Sequence, residues 1–145
     1  NLYHVTLPNY LTSMIGLDKR WLEPYGIDPD TAFVALIPYS GQVVTHFERR
    51  RELGLPDTQP LVDDMAPLSY VRPDCRPMLI LSGDREREML GRYEENAYFW
   101  RMMRVAGHPD VRICEFDGFD HGNMPQAGHF VAVRYIREME RRMDR

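Results

Sequence analysis

Cysteine is scarce in this chain: two residues, Cys75 and Cys114, in 145. That number rules out the disulfide framework of a small secreted scaffold. Each cysteine lies in or beside an apolar strand candidate, so buried free thiols are expected. Long apolar runs are also missing, and nothing approaches the length of a membrane span. Positive charge is in deficit, 18 Lys and Arg against 22 Asp and Glu, for a formal net charge of -4. Phosphate binding wants a clustered basic excess, so a nucleic-acid partner is not expected. The runs Arg49-Arg50-Arg51 and Arg141-Arg142 stand in Glu-rich, helix-like segments and read as solvated helical faces. No internal repeat, low-complexity tract or leader segment is visible. A soluble protein is expected, cytoplasmic in preference to secreted. The chain starts at Asn1 rather than Met, so the compartment stays open.

What is present suits one globular domain over residues 1–145, with 43% hydrophobic and 28% charged residues. Helical spacing runs from Tyr10 to about Leu22, broken by Glu23-Pro24-Tyr25-Gly26, with a turn at Asp28-Pro29-Asp30. Phe33–Ile37 is a short apolar run that reads as a buried strand ended by Pro38. Gln42–Leu53 reads as a helix closed by Gly54. Residues 39–77 as a whole form an irregular excursion expected to line a pocket, with one short helical turn. Met78–Leu81 reads as the second strand, Glu88–Val105 as a strong helix, Val111–Phe116 as the third strand, and Gly128–Met143 as the last helix. Strands alternating with helices predict an α/β fold of about three parallel strands with flanking helices. Three strands are few for such a sheet, so the chain reads as part of something larger.

In parallel α/β sheets, chemistry gathers where the strands end at their carboxyl sides. Those ends carry Ser40-Gly41, then Asp84, Glu86 and Glu88, then Asp117, Asp120 and His121. A carboxylate loop followed by a histidine loop is the arrangement that triad chemistry needs. The histidine takes a proton from a nucleophile, and the carboxylate fixes its tautomer and stabilises the imidazolium. The chain order, acid before histidine, is also that of the α/β-hydrolases.

Ala66-Pro67-Leu68-Ser69-Tyr70-Val71, followed by Pro77-Met78-Leu79-Ile80-Leu81-Ser82-Gly83-Asp84-Arg85-Glu86, resembles the approach to the acid loop of α/β-hydrolase carboxylesterases of the feruloyl-esterase-like and acetyl-esterase-like type. Asp117-Gly118-Phe119-Asp120-His121-Gly122 resembles their histidine loop, and Pro38–Gln42 with Thr45-His46-Phe47 is also similar to theirs. The resemblance covers the chain from about Tyr10 onward and implies a partial α/β-hydrolase fold, its C-terminal half. Carried over by position, it implies Glu86 as the triad acid, Asp84 as the reserve acid that more readily orders the turn, and His121 as the base. His4, His46, His108 and His129 compete with His121 as sequence alternatives. The resemblance implies a small-molecule ester substrate, with His46, Tyr39 and Phe47 lining its pocket, and no cofactor.

The departure from the family is the nucleophile. Gly-x-Ser-x-Gly makes a sharp elbow that needs small neighbours around the serine, and no such motif occurs here. Before the Tyr10 helix the chain reads His4-Val5-Thr6-Leu7-Pro8-Asn9. Thr6 falls at the nucleophile position, but it is β-branched, and His4 and Pro8 stand where glycines belong. Ser40 is the other weak candidate, with Pro38 and Gln42 in the small-residue places. The oxyanion-hole loop is missing too.

Three function classes therefore compete. In the first, the chain is the acid-and-base portion of a carboxylic-ester hydrolase, inactive without a missing N-terminal half that supplies the serine. In the second, it is a non-catalytic hydrolase-like domain that binds a small molecule or a partner chain, with homodimerisation through an open sheet edge. The third, a metal site built from Asp84, Glu86, Asp117, Asp120 and His121, lacks a dedicated spacing motif.

Overall fold

A computed structural model describes residues 9–144. The elements are α1 (Asn9–Leu17), α2 (Pro29–Ala32), α3 (Phe47–Glu52), β1 (Met78–Gly83), α4 (Arg92–Val105), β2 (Val111–Phe116) and α5 (Met124–Met143), with 3₁₀ turns at Lys19–Trp21, Glu23–Tyr25 and Pro67–Tyr70. This is a mixed α/β architecture with a small parallel sheet between flanking helices.

β1 and β2 pair in parallel from Met78↔Val111 to Gly83↔Phe116. The expected first strand is present only as two isolated parallel bridges, Leu36↔Met78 and Tyr39↔Leu81. Leu36 N–H donates to Pro77 O, and Leu36 O accepts from Leu79 N–H, both at 2.9 Å. Pro38 O accepts from Leu81 N–H at 3.0 Å, and Ser40 N–H donates to Leu81 O at 2.6 Å. The missing rung is the one at Pro38, which has no N–H to give. The paired stretch is therefore 36–40, displaced from the expected Phe33–Ile37, and it carries Ser40 to the carboxyl end of the sheet.

Alternation along β1 divides the core in two. Met78 and Ile80 face Phe99 and Met103 of α4, with Leu17 of α1, Leu36 and Val43. Leu79 and Leu81 face Ala132, Tyr135 and Met139 of α5, with Ile37 and Tyr39. Full burial of each large side chain contributes roughly 1.5–3 kcal/mol, and Phe99, Met103, Met78 and Ile80 are all fully buried. Two glycines permit this packing. A Cβ on Gly16 would lie 2.4 Å from Leu36 Cδ1, and one on Gly128 would lie 2.7 Å from Tyr39 Cε1. Helix–sheet approach this close leaves no room for a methyl group.

Several element boundaries depart from the sequence reading. The first helix stops at Leu17, where the Asp18 side chain accepts from Arg20 N–H at 3.2 Å and starts a 3₁₀ turn. Asp28-Pro29-Asp30 opens a helix, with Asp28 as its cap, instead of forming a free turn. The helix expected from Gln42 begins at Phe47. The helix expected from Glu88 begins at Arg92, after Gly91 at φ 69°. α5 starts four residues before Gly128, with Pro125 in its first turn.

The basic run 49–51 is not uniformly solvated. Arg49 and Arg51 are exposed and pair with Glu52, Glu48 and Asp57. Arg50 is buried, and its guanidinium donates to Thr45 O, Asp57 O and Gln59 O at 3.1, 3.0 and 2.9 Å. It ties the first part of the excursion together. Both cysteines are free; Cys75 is buried, and burial pushes its thiol up to about 11, whereas Cys114 is only partly buried. Among the described residues, no helix is long and apolar enough to cross a membrane.

Candidate active site

Three segments converge at the carboxyl end of the sheet: residue 40 after the first paired stretch, the loop after β1, and the loop after β2. The loop after β1 is a tight turn in which Asp84 O accepts from both Arg87 N–H and Glu88 N–H, at 2.9 and 2.8 Å. That turn brings residue 88 back beneath Gly83. The carboxylate that reaches His121 is therefore Glu88, two residues beyond Glu86: His121 Nδ1 lies 3.1 Å from Glu88 Oε2. Glu86 is exposed on the outer side of the turn. Asp84 orders both loops, its carboxylate accepting from Glu86 N–H at 2.9 Å and Gly118 N–H at 2.8 Å.

The Glu88 side chain has no exposed surface, whereas that of His121 is 38% exposed. Four donors surround the carboxylate. Oε1 accepts from Ser40 Oγ at 2.5 Å and Gly83 N–H at 3.2 Å. Oε2 meets His121 and also accepts from Met89 N–H at 2.9 Å. Burial by itself would favour the neutral acid, but the hydrogen bonds from His121, Ser40 and Met89 outweigh it. They hold the Glu88 carboxyl down to about 2. A carboxylate accepts only, so the bond at Nδ1 fixes the neutral imidazole with its proton there and leaves Nε2 as the basic nitrogen. Among the described residues, Nε2 has no hydrogen-bond partner.

His121 stands in a loop braced by its neighbour. Asp120 accepts from Gly122 N–H and Asn123 N–H at 2.9 and 3.0 Å, and its backbone oxygen accepts from Met124 N–H as α5 begins. Among the described residues, no three His, Cys, Asp or Glu side chains converge as a metal site. Of the proposed metal set, Asp84 and Asp120 accept from backbone amides and Glu86 is exposed.

Ser40 is fully buried and, alone among the described non-glycine residues, has a positive φ, 49°. For an L-residue that conformation costs about 1–2 kcal/mol. Its hydroxyl, offered by the sequence as a nucleophile, donates to Glu88 instead of to His121. α4 grips the segment that follows. Arg92 Nη1 donates to Ser40 O at 2.6 Å, Asn96 Nδ2 to Gly41 O at 2.8 Å, and Glu95 Oε2 accepts from Val43 and Val44 N–H at 3.0 and 3.1 Å. Positions 92, 95 and 96 share one face of α4. Gln42 Oε1 accepts from Phe47 N–H at 3.1 Å, which is why the helix waits until Phe47.

A cavity of about 160 Å³ opens beside His121, lined also by Ser40, Tyr10, His46, Phe47 and Met89. The His46 ring lies 5.2 Å from that of Tyr10 and 4.4 Å from that of Phe47. Burial, then the nearby Arg92 charge, lowers the His46 pKa. The structure thus brings His46 and Phe47 to the cavity but not Tyr39, which lies in the core on the α5 side with its hydroxyl 3.1 Å from His129 Nδ1. His108 is buried between Cys75 O and Asp110 N–H. His4 and Thr6 lie outside the described residues. Larger hollows, such as one of about 500 Å³ bordered by Arg76, Arg112 and Arg142, lie elsewhere and contain neither Glu88 nor His121.

No protein-family model and no curated protein matches the chain. Solved structures do. Esterase 2 of Thermogutta terrifontis phosphoramylated by tabun is 21% identical, with a TM-score of 0.59 over 79% of this chain and 44% of that one. The propionate-bound form of the same thermophilic planctomycete esterase is 20% identical, with a TM-score of 0.57 over 79% and 45%. The form phosphorylated by paraoxon is 21% identical, with a TM-score of 0.58 over 79% and 43%. The chain spans less than half the length of the esterase that it matches. Over the matched residues its fold is similar to part of the fold of that esterase.

Proposed function

We propose that this chain carries the acid and the base, Glu88 and His121, of a serine-type carboxylic-ester hydrolase, and that the nucleophile lies outside residues 9–144. The observation that carries this reading is the His121 Nδ1–Glu88 Oε2 contact of 3.1 Å, made by a side chain with no exposed surface. In this mechanism Nε2 takes the proton of an attacking hydroxyl and returns it to the leaving alcohol. Glu88 holds the ring and stabilises the imidazolium. The small cavity beside His121 suits a short acyl or alcohol group, in keeping with the propionate-bound form of the similar esterase. His46 and Phe47 form its wall.

Intact-mass analysis after exposure to a fluorophosphonate tests the reading. The expected result is no adduct on Ser40; any adduct falls outside residues 9–144 and disappears in His121→Ala. A stoichiometric adduct on Ser40 that depends on His121 contradicts it.

A second reading, a binding domain that pairs with another chain, draws on the outer edge of β2, which has no strand partner among the described residues. It also draws on Phe130 of α5, which is 82% exposed. Concentration-dependent dimerisation with no ester turnover in any form of the protein would favour it.

A further inference from the structure

The hydroxyl of Ser40 contacts neither a nucleophile's base nor open solvent. It is buried, donates to Glu88 Oε1 at 2.5 Å, and belongs to a backbone fixed on three sides. Ser40 N–H is held by Leu81 O, Ser40 O by the buried Arg92 guanidinium, and φ sits in the left-handed region at 49°. Glycine is the natural occupant of such a backbone. A serine kept there, at a conformational cost, points to a use for its side chain.

We infer that Ser40 is a positioning residue for the acid: its hydroxyl occupies Glu88 Oε1 so that Oε2 is presented to His121 Nδ1 in one fixed orientation. The inference rests on the reading of Glu88 and His121 as an acid–base pair and extends that machinery to a third segment of the chain. A carboxylate has two equivalent oxygens and rotates about its last torsion unless both are engaged. Gly83 N–H reaches Oε1 only at 3.2 Å, so Ser40 supplies the shorter contact there. Arg92, Asn96 and Glu95 of α4 hold the backbone that aims the hydroxyl. The same geometry removes Ser40 from the role of nucleophile, since a hydroxyl that donates to the acid cannot at once donate to the base.

Two substitutions separate the hydroxyl from the backbone strain. Ser40→Ala removes the hydroxyl and keeps the strain, whereas Ser40→Gly removes both. The readouts, taken on the whole chain by NMR, are the titration of the Glu88 carboxyl carbon and the low-field proton on His121 Nδ1. Both variants are expected to make Glu88 a roughly tenfold weaker acid and to broaden or abolish the Nδ1 proton signal. Ser40→Gly should unfold at or above the temperature of Ser40→Ala. Unchanged Glu88 titration and an intact Nδ1 signal in the folded variants overturn the inference. So does a change in Ser40→Ala that Ser40→Gly reverses, because the backbone would then be responsible. Glu88→Gln is the control for the underlying pair. If the Nδ1 signal survives there, the acid–base reading itself fails, whatever Ser40 does.

Discussion

Replacing Gly83 with alanine is expected to lower stability by about 2–3 kcal/mol and to separate Glu88 from His121. A Cβ at position 83 would lie 2.7 Å from Phe119 O and 3.1 Å from both Cγ and Oε1 of Glu88. The first neighbour is backbone and cannot swing aside; the second is the acid itself. Overpacking of this kind costs about 1–3 kcal/mol, and the upper part of that range applies because the histidine loop must move. Gly83 also donates its N–H to Glu88 Oε1. Its φ is not in the left-handed region, so space, not backbone freedom, requires glycine here. Urea unfolding measures the loss of stability, and the His121 Nδ1 proton reports the site. A variant as stable as the parent, with that proton intact, would mean that the two loops are packed more loosely than described.

The second large effect is a dependence on acid. Glu88 is held at about 2 in the fold, against an ordinary value of 4.5. Its folded value is depressed, so its contribution is fully present above about pH 4.5 and is lost as pH falls from there towards 2. For a side chain with no exposed surface, the contribution is on the order of 2–3 kcal/mol. Other depressed carboxyls, among them Asp30 and Glu115 beside their arginines, add to acid unfolding and would mask it. Glu88→Gln isolates the contribution, because glutamine mimics the protonated acid. The variant should be about 2–3 kcal/mol less stable than the parent at pH 7, and the gap should narrow as pH falls below about 4.5 and close only below about pH 2. Paired urea titrations across that range measure it. A gap that stays constant with pH would show that Glu88 gains nothing from its charge.

Much of the frame was readable from the residues. Val111–Phe116 is a strand with the expected bounds, and the strand expected at Met78–Leu81 extends only to Gly83. Both are short apolar or alternating runs bounded by turn residues, and local pattern decides them. The paired stretch 36–40 was harder to place. Five consecutive apolar residues fix burial but not register, and Pro38 interrupts a strand that continues beyond it. The non-helical course of residues 40–44 is held by Arg92, Glu95 and Asn96, some fifty residues away, which no local window contains.

Of the two residues in the His121–Glu88 contact, the histidine is the more legible in the sequence, since it follows a strand and precedes a glycine. The Gly-Asp-x-acid spacing of the resemblance points to Glu86, but the turn after Asp84 is helical in pitch, and that pitch presents position 88 to His121. The signal available was the pair Asp84 and Glu88, four residues apart beside a glycine. Ser40 was visible as a polar residue at a strand end, but its hydroxyl's partner depends on that same turn. The resemblance implies Tyr39 as a pocket residue, but alternation along the strand sends it to the opposite side, into the core.

The most direct test of this account is the low-field Nδ1 proton of His121 in three proteins: the parent, Glu86→Gln and Glu88→Gln. The account predicts that it is present in the first two and absent from the third. Its loss in Glu86→Gln with survival in Glu88→Gln would contradict the assignment of the acid, and with it the site built around Glu88.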